Sequence, residues 1–333
     1  MRLLKNDEIP EYKWHSFLSG NPYYSIFQSP YFYSFFNSIS GNSAEVFAVE
    51  EFLEIKALCV ITIQKEMGIK GFFSRRAIIY GGPIVKKENV KEFELLIHSI
   101  NSNFKKRVIY IEIRNFFDYS HFKPLFYQAG WKYLPYLDIR VALKGKKLDD
   151  VLDNMKYNRK REIRLSLTQG AVFKIAQTIT EVEKLYLILK ELYFLKLKLP
   201  LPNLKFFIEL FKSSFGKVFI VIHKNNIIGG AFCLFSDGNT IYTLYYCGLR
   251  NYHNKIFPTH LAILAAIDFG IENNLEYLDF MGAGLKDKEY GVRKYKQEFG
   301  GITVENGRFL KISQPFLYSL GKTGLKIFKK IRI

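Results

Sequence analysis

The second half of this 333-residue chain repeats the first in a worn form. Ala57-Leu58-Cys59-Val60 aligns with Ala231-Phe232-Cys233-Leu234 at an offset of 174, and Ile79-Tyr80-Gly81-Gly82 with Tyr245-Tyr246-Cys247-Gly248 at 166. Tyr110-Ile111-Glu112-Ile113 aligns with Tyr277-Leu278-Asp279-Phe280 at 167, and Gln128-Ala129-Gly130 with Glu298-Phe299-Gly300 at 170. Small loop insertions make an offset drift in this way. Solenoid units run about 20–50 residues, so a period this long implies two whole domains of one fold, with a cleft between them able to take a large substrate. The expected division is 1–147 and 148–333, the second domain carrying a helical insertion at 181–215 and a basic carboxyl-terminal tail.

Each half follows the same order of elements. The first reads as strands at 46–49 and 53–63, a strand at 77–80 ending in Gly81-Gly82-Pro83, a helix at 90–104, a strand at 108–113, a short helix at 122–130 and a strand at 132–143. The second reads as strands at 217–223 and 227–235 joined at Asn225-Asn226, a strand at 240–249, a helix from Pro258, a strand at 277–281, a helix from Tyr290 and a strand at 302–305. Pro258 suits a first helical position, where its missing N–H has no intrahelical partner to lose. Between the halves, 148–169 reads as a basic helix stopped by Gly170, followed by apolar helices at 181–199 and 204–215. The order predicts an α/β (α+β) class, with a mixed sheet flanked by helices in each domain. It is the order of the acetyltransferase-like (GNAT) fold, here in tandem.

Charge bears on partners more than on fold. With 49 basic and 31 acidic residues the net charge is +18, which favours nucleic acid, pyrophosphate or an acidic membrane surface, unless lysine simply fills surface positions. Cys59, Cys233 and Cys247 are widely spaced and lack C-x-x-C or His partners, so they indicate packing thiols, with no metal site and no disulfide framework. The first 13 residues lack the apolar stretch of a signal peptide, and no apolar run reaches the ~18 residues a membrane span needs. The expectation is a cytoplasmic protein, with peripheral contact at the inner face of the membrane as an open possibility.

Two segments are placed for chemistry. In the basic helix, Lys156, Lys160 and Arg164 share one face at i, i+4, i+8 and, with Arg159, are candidate phosphate or nucleic-acid contacts; a merely solvated face is the alternative. The densest cluster is Asp279-Phe280-Met281-Gly282-Ala283-Gly284, followed by Arg293 and Lys296 one turn apart on the next helix. A strand ending in small residues admits a substrate close to the backbone, and cations beside it can stabilise an oxyanion. Asp279, Gly282, Gly284, Tyr246 and Arg250 are the substrate-binding candidates, Lys296 and Arg293 the catalytic ones; a glycine-rich turn with solvated cations is the alternative.

On these segments the chain resembles the FemAB/FemX aminoacyltransferases, over nearly its whole length. Trp14 with Ser25-Ile26-Phe27-Gln28-Ser29 resembles their "F-Q-S" segment, and Asn158-Arg159 with Ile163-Arg164 and Gly170-Ala171 their "R-x-x-I-R … G-V" stretch. Pro258 with Leu261 resembles their "P … L" helix, with His260 and Ala262 where an aromatic is expected. Asp279-Phe280, Gly282, Lys296 and Phe299-Gly300-Gly301 match the closing "D-F-x-G … K-x-x-F-G-G" pattern. Phe35-Phe36-Asn37 stands where the family often has Trp and Lys, and the coiled-coil arm of some members is absent.

The resemblance implies transfer of an amino acid from aminoacyl-tRNA to an amine of a lipid-linked peptidoglycan precursor, with Lys296 near the reacting carbonyl and no cofactor. An aminoacyl ester is already activated, so alignment and charge stabilisation suffice. An acyl-CoA-dependent N-acyltransferase acting on an amino sugar of a surface polysaccharide keeps the fold. It is disfavoured because Arg250-Asn251-Tyr252-His253-Asn254-Lys255 has no glycine to cradle pyrophosphate. A non-catalytic binder of anionic lipid or RNA is the third alternative. The tail 322–333 interleaves basic and apolar residues and could lie on an anionic bilayer.

Overall fold

The computed structural model describes residues 1–65, 71, 74–236, 238–321 and 323. It resolves into two units, Met1–Pro135 with Asn306–Ile333, and Tyr136–Glu305. The tail expected to meet a bilayer, 322–333, lies outside the described residues except for Thr323.

In the first unit the chain forms β1 (Arg2–Lys5), α1 (Glu11–Leu18), α2 (Pro30–Ser38), β2 (Ser43–Glu51), β3 (Glu54–Gln64), β4 (Arg76–Tyr80), β5 (Ile84–Val85), α3 (Val90–Phe104), β6 (Tyr110–Arg114), α4 (Lys123–Gln128) and β7 (Lys132–Leu134). The sheet order is β1-β2-β3-β4-β6-β15-β7, where β15 (Arg308–Ile312) is the last strand among the described residues; β5 pairs with β3. All neighbours are antiparallel except β4 and β6. Helix α3 buries Phe93, Leu96, Ile97, Ile100 and Phe104, the i, i+3, i+4, i+7 stripe of an amphipathic helix, in a core with Phe47 and Phe309.

The second unit holds β8 (Asp138–Ala142), α5 (Leu148–Asp153), α6 (Tyr157–Thr168), β9 (Val172–Ile175), α7 (Ile179–Leu192), α8 (Leu204–Lys212), β10 (Gly216–His223), β11 (Asn226–Phe235), β12 (Thr240–Gly248), α9 (Pro258–Glu272), β13 (Tyr277–Asp279), α10 (Gly291–Gln297) and β14 (Ile302–Val304). Its sheet runs β9-β10-β11-β12-β13-β8-β14, and again one neighbouring pair, β12 with β13, is parallel. Position for position this is the first sheet, with the same pairing senses. The four aligned segments fall on matching elements, so the duplication is structural. Helix α9 buries Leu261 through Ile267 with no wet face, as an interior helix does.

Three expectations change. The single strand at 132–143 is two strands in different sheets, because Pro135 has no N–H to continue a ladder. The boundary therefore falls at Pro135 rather than 147, and Asn306 onward returns to the first unit. The basic helix 148–169 is also two helices. Lys156 is extended (φ −58°, ψ 142°), and its N–H donates to the Glu298 carbonyl at 3.0 Å. The helix at 181–199 starts at Ile179, capped by Thr178, and turns into a π-helical Tyr193–Leu197 ended by left-handed Lys198.

Candidate active site

The site is built where two parallel strands part. β12 pairs with β13 from Thr240 opposite Tyr277 to Tyr242 opposite Asp279, then continues alone to Gly248. On its other edge β12 stays bonded to β11, with one extra residue, Leu244, between the Phe232–Tyr245 and Cys233–Thr243 pairs. Such a bulge bends a strand and re-aims its side chains. The Thr243 hydroxyl donates to the Asp279 carbonyl at 3.3 Å, where the ladder ends.

Beyond Asp279 the chain turns through Met281 (φ 56°), Gly282 (φ 116°) and Gly284 (φ 84°). Met281 is held in the left-handed region at an energetic cost, and side chains hold the turn there. Asp279 is fully buried; its Oδ1 accepts the Met281 N–H at 2.7 Å and its Oδ2 accepts Arg140 Nε at 2.8 Å. Asp138, on neighbouring β8, accepts the N–H groups of Gly282 (2.8 Å) and Ile139 (2.7 Å). Burial first, and the adjacent Asp279 second, push the Asp138 carboxyl well above the carboxylate range. Two neighbouring buried carboxyls resist carrying two negative charges.

Lys296 approaches the same turn from α10. Its Nζ donates to the carbonyls of Phe280 (2.7 Å) and Gly282 (2.6 Å), and only 6% of the residue is exposed. The ammonium is thus fixed under Gly282, at the end of the strand, in surroundings where a charge acts strongly. The turn that follows the Lys296 helix closes at Gly300 (φ 78°), whose Cβ would lie 2.6 Å from the Asn154 carbonyl oxygen. Glycine is required there for both reasons.

Arg293 does not join Lys296. Its guanidinium donates to the carbonyls of Ala283 (2.8 Å), Lys288 (3.1 Å), Lys286 (3.3 Å) and Leu285. It holds the loop after the turn by these four carbonyls. At Gly284 a Cβ would meet the Tyr290 ring at 2.9 Å, so this glycine lets Tyr290 lie against the turn. Tyr246, on β12, lies over Tyr295 (6.2 Å, 15° between planes), both packed against the core of the unit. Burial pushes up the hydroxyl pKa values of Tyr246 and Tyr193, the latter to about 12, with Tyr290 contributing to both. Arg250 is exposed, in the turn after β12.

The basic-helix residues separate. Lys156 and Arg164 are exposed, whereas Lys160 pairs with Asp153. Arg159 is 3% exposed, and so is removed from any polyanion. Its guanidinium bonds Glu298 Oε2 at 2.6 Å and His260 Nε2, lies 3.7 Å from Glu162, and covers the rings of Tyr295 (4.4 Å) and Phe299 (4.7 Å). Burial, and then Arg159, hold the His260 pKa down to about 3. The neutral imidazole stacks on Phe257 (5.2 Å, 2°), so His260 serves as the aromatic expected at its position. The "R-x-x-I-R" and "K-x-x-F-G-G" segments are therefore two walls of one box.

Sequence reasoning missed Asp138, Arg140, Tyr193, Tyr290 and Tyr295. Tyr290 and Tyr295 stand in the same short segment as Lys296 and could have been read from it; Asp138 and Arg140 carry no local signal. A cavity of about 370 Å³ lined by Asn42, Ser43, Lys65, Arg75 and Arg107, among others, lies in the first unit and includes none of the expected residues. Arg107 there is paired with Glu45. Cys59, Cys233 and Cys247 are all buried, as packing thiols are.

No protein-family model and no curated protein matches the chain. Solved structures do. A FemX crystal structure is similar at 15% identity and TM-score 0.72, covering 96% of this chain and 99% of that one. A tandem GNAT protein from the clavulanic acid biosynthesis pathway is similar at 8% identity and TM-score 0.57, covering 94% and 99%. The carboxyl-terminal domain of a putative lysylphosphatidylglycerol synthetase from Agrobacterium fabrum is similar at 13% identity and TM-score 0.53, covering 77% and 81%. The chain has the FemX-like fold, two GNAT-type modules in tandem.

Proposed function

We propose that the protein is an N-acyltransferase of the FemX kind that moves an aminoacyl group from aminoacyl-tRNA to an amine of a lipid-linked cell-wall precursor. The observation that carries this reading is the Lys296 ammonium fixed at 2.7 and 2.6 Å from two carbonyls where β12 and β13 part. The acceptor amine attacks the ester carbonyl carbon, the carbon–oxygen bond to the ribose breaks, and the amine's proton ends on the released 2′ or 3′ oxygen. Negative charge builds on the carbonyl oxygen in between. A fixed cation close to that oxygen lowers the barrier because it need not reorganise. Asp279 and Asp138 keep the turn in the conformation that presents this charge. Gly282 lets the ester approach the backbone, and Tyr246 walls the gap. The reaction needs no enzyme nucleophile and no resident cofactor.

Lys156, Arg164 and Arg250 supply exposed positive charge for the donor's phosphates. Arg293 acts by holding the loop, and Arg159 by building the box behind Lys296. The test is binding of charged tRNA across a salt series, together with transfer to an amine acceptor. Affinity should fall steeply with salt, and replacing Lys156 and Arg164 by Ser should flatten the log–log slope by about one per residue. Salt-insensitive or absent binding, with thermal stabilisation by acyl-CoA instead, would replace the tRNA donor by a thioester.

A further inference from the structure

One apolar surface of the second unit has no place in the transfer chemistry. Helix α7 buries Val182, Leu185 and Leu189 on one side. Leu187 (61% exposed) and Phe194 (65%), seven residues apart, lie on the other side. Leu195 (54%), Leu197 (40%) and Leu199 (47%) extend the patch through the π-helical turn. The segment is shaped, not frayed. The Tyr186 hydroxyl donates to the Pro202 carbonyl at 3.3 Å, tying the return loop to α7, and Tyr193 packs on Tyr245 of β12 at 5.8 Å.

The segment from Lys184 to Lys205 inclusive holds five lysines and one acidic residue, Glu191. Lys184, Lys190, Lys196 and Lys205 are exposed. Large apolar side chains interleaved with lysine are the composition of segments that lie in the interface of an anionic bilayer, the rings and leucines among the acyl chains and the ammonium groups at the phosphates. Among the described residues no helix is long and apolar enough to cross a membrane, so contact is at the surface. A second copy of the chain would bring the same lysines face to face.

We propose that the surface from Leu187 to Lys205 docks the second unit on the anionic head-group layer of a membrane. Tyr193 packs on Tyr245, on the sheet face opposite Tyr246, but its hydroxyl lies within electrostatic reach of Tyr246 and Tyr290, so the surface borders the candidate site and an amine carried on a lipid would be delivered beside it. The docking stands independently of the identity of the acyl donor.

The test is co-sedimentation of the full chain with vesicles of phosphatidylglycerol and phosphatidylcholine in equal parts, or of phosphatidylcholine alone. The protein should bind the anionic vesicles and release in about 1 M salt, where the Debye length is ~3 Å. Phe194→Ser with Leu195→Ser should weaken binding at least about tenfold. Lys190→Ser with Lys196→Ser should weaken it about fivefold per lysine. Replacing the tail lysines Lys322, Lys326, Lys329 and Lys330 by Ser should leave most of it. All these positions are exposed or at the terminus, and circular dichroism checks the fold.

Absence of binding to anionic vesicles overturns the proposal. So does binding that survives the Phe194/Leu195 change but is lost with the tail lysines. So does a dimer in light scattering that this change converts to monomer without any vesicle binding. Lys296→Met, which tests the transfer chemistry, should bind vesicles like the unaltered protein, so the two readings fail separately.

Discussion

The two units bond the same strand in opposite ways. In the first, β4 is paired with parallel β6 along its whole length, and Gly81 N–H extends the ladder to Arg114 at 2.9 Å. Its antiparallel ladder to β3 runs only from Thr62 to Gln64. There Gln28 acts as a piece of strand. Its amide donates to the carbonyls of Tyr80 (2.8 Å) and Val60 (3.2 Å) and accepts the Val60 N–H at 2.7 Å. In the second, the antiparallel edge of β12 is bonded to its end, and the parallel edge opens after Tyr242. A twisted strand that leaves one neighbour must satisfy its backbone groups some other way. One copy did so with a glutamine and closed; the other left a gap with a cation beside it.

This contrast predicts where function can be damaged without stability, and the reverse. Lys296→Met should lower turnover by at least about a hundredfold, as loss of one oxyanion stabiliser does, and Lys296→Arg should restore only part. Gln28→Leu should leave turnover per folded molecule unchanged; equal losses from both changes in steady-state assays would erase the distinction. Arg159→Met should cost about 3 kcal/mol in denaturant unfolding, because it leaves Glu298 and Glu162, both partly exposed, without their shared partner. Gln28→Leu itself should cost about 3 kcal/mol by the same measurement, since three backbone groups lose partners.

The smallest effect is in pH. His260 has a folded-state pKa of about 3, below the ~6.5 of an unfolded chain. Its contribution is complete above that unfolded value and is lost as pH falls, because the unfolded state takes up the proton first. Between pH 7 and 5 this amounts to about 2 kcal/mol. His260→Gln, which keeps an acceptor for Arg159, should flatten the stability–pH curve by nearly one proton.

The repeat, the interior helix α9 and the "D-F-x-G" turn were legible because each is carried by local pattern: matched apolar runs, proline at a helix start, glycines at positive φ. Arg293 and Lys296 looked alike in sequence, both cations on one helix face. They differ in which carbonyls hold them: Arg293 bonds those of the 283–288 loop, Lys296 those of Phe280 and Gly282 at the turn. Asp138 was invisible, since its meaning depends on Asp279, 141 residues later. The break at Pro135 did have a signal, the missing N–H, and reading 132–143 as one strand overrode it. Arg159 read as a surface cation; only the packing of Tyr295 and Phe299 removes it from solvent.

The placement of β15 between β6 and β7 bears on how the protein is made. As the chain leaves the ribosome, the first sheet lacks an interior strand until Arg308–Ile312 has been synthesised. Until then β6 offers an open edge and β7 has no neighbour. Pairing over so long a sequence separation is slow, and an exposed edge invites wrong partners meanwhile. Reciprocally, the second sheet cannot assemble without β8, made with the first half. Neither copy can be released as a finished module, and a chain cut at the midpoint would yield two incomplete sheets instead of two small proteins.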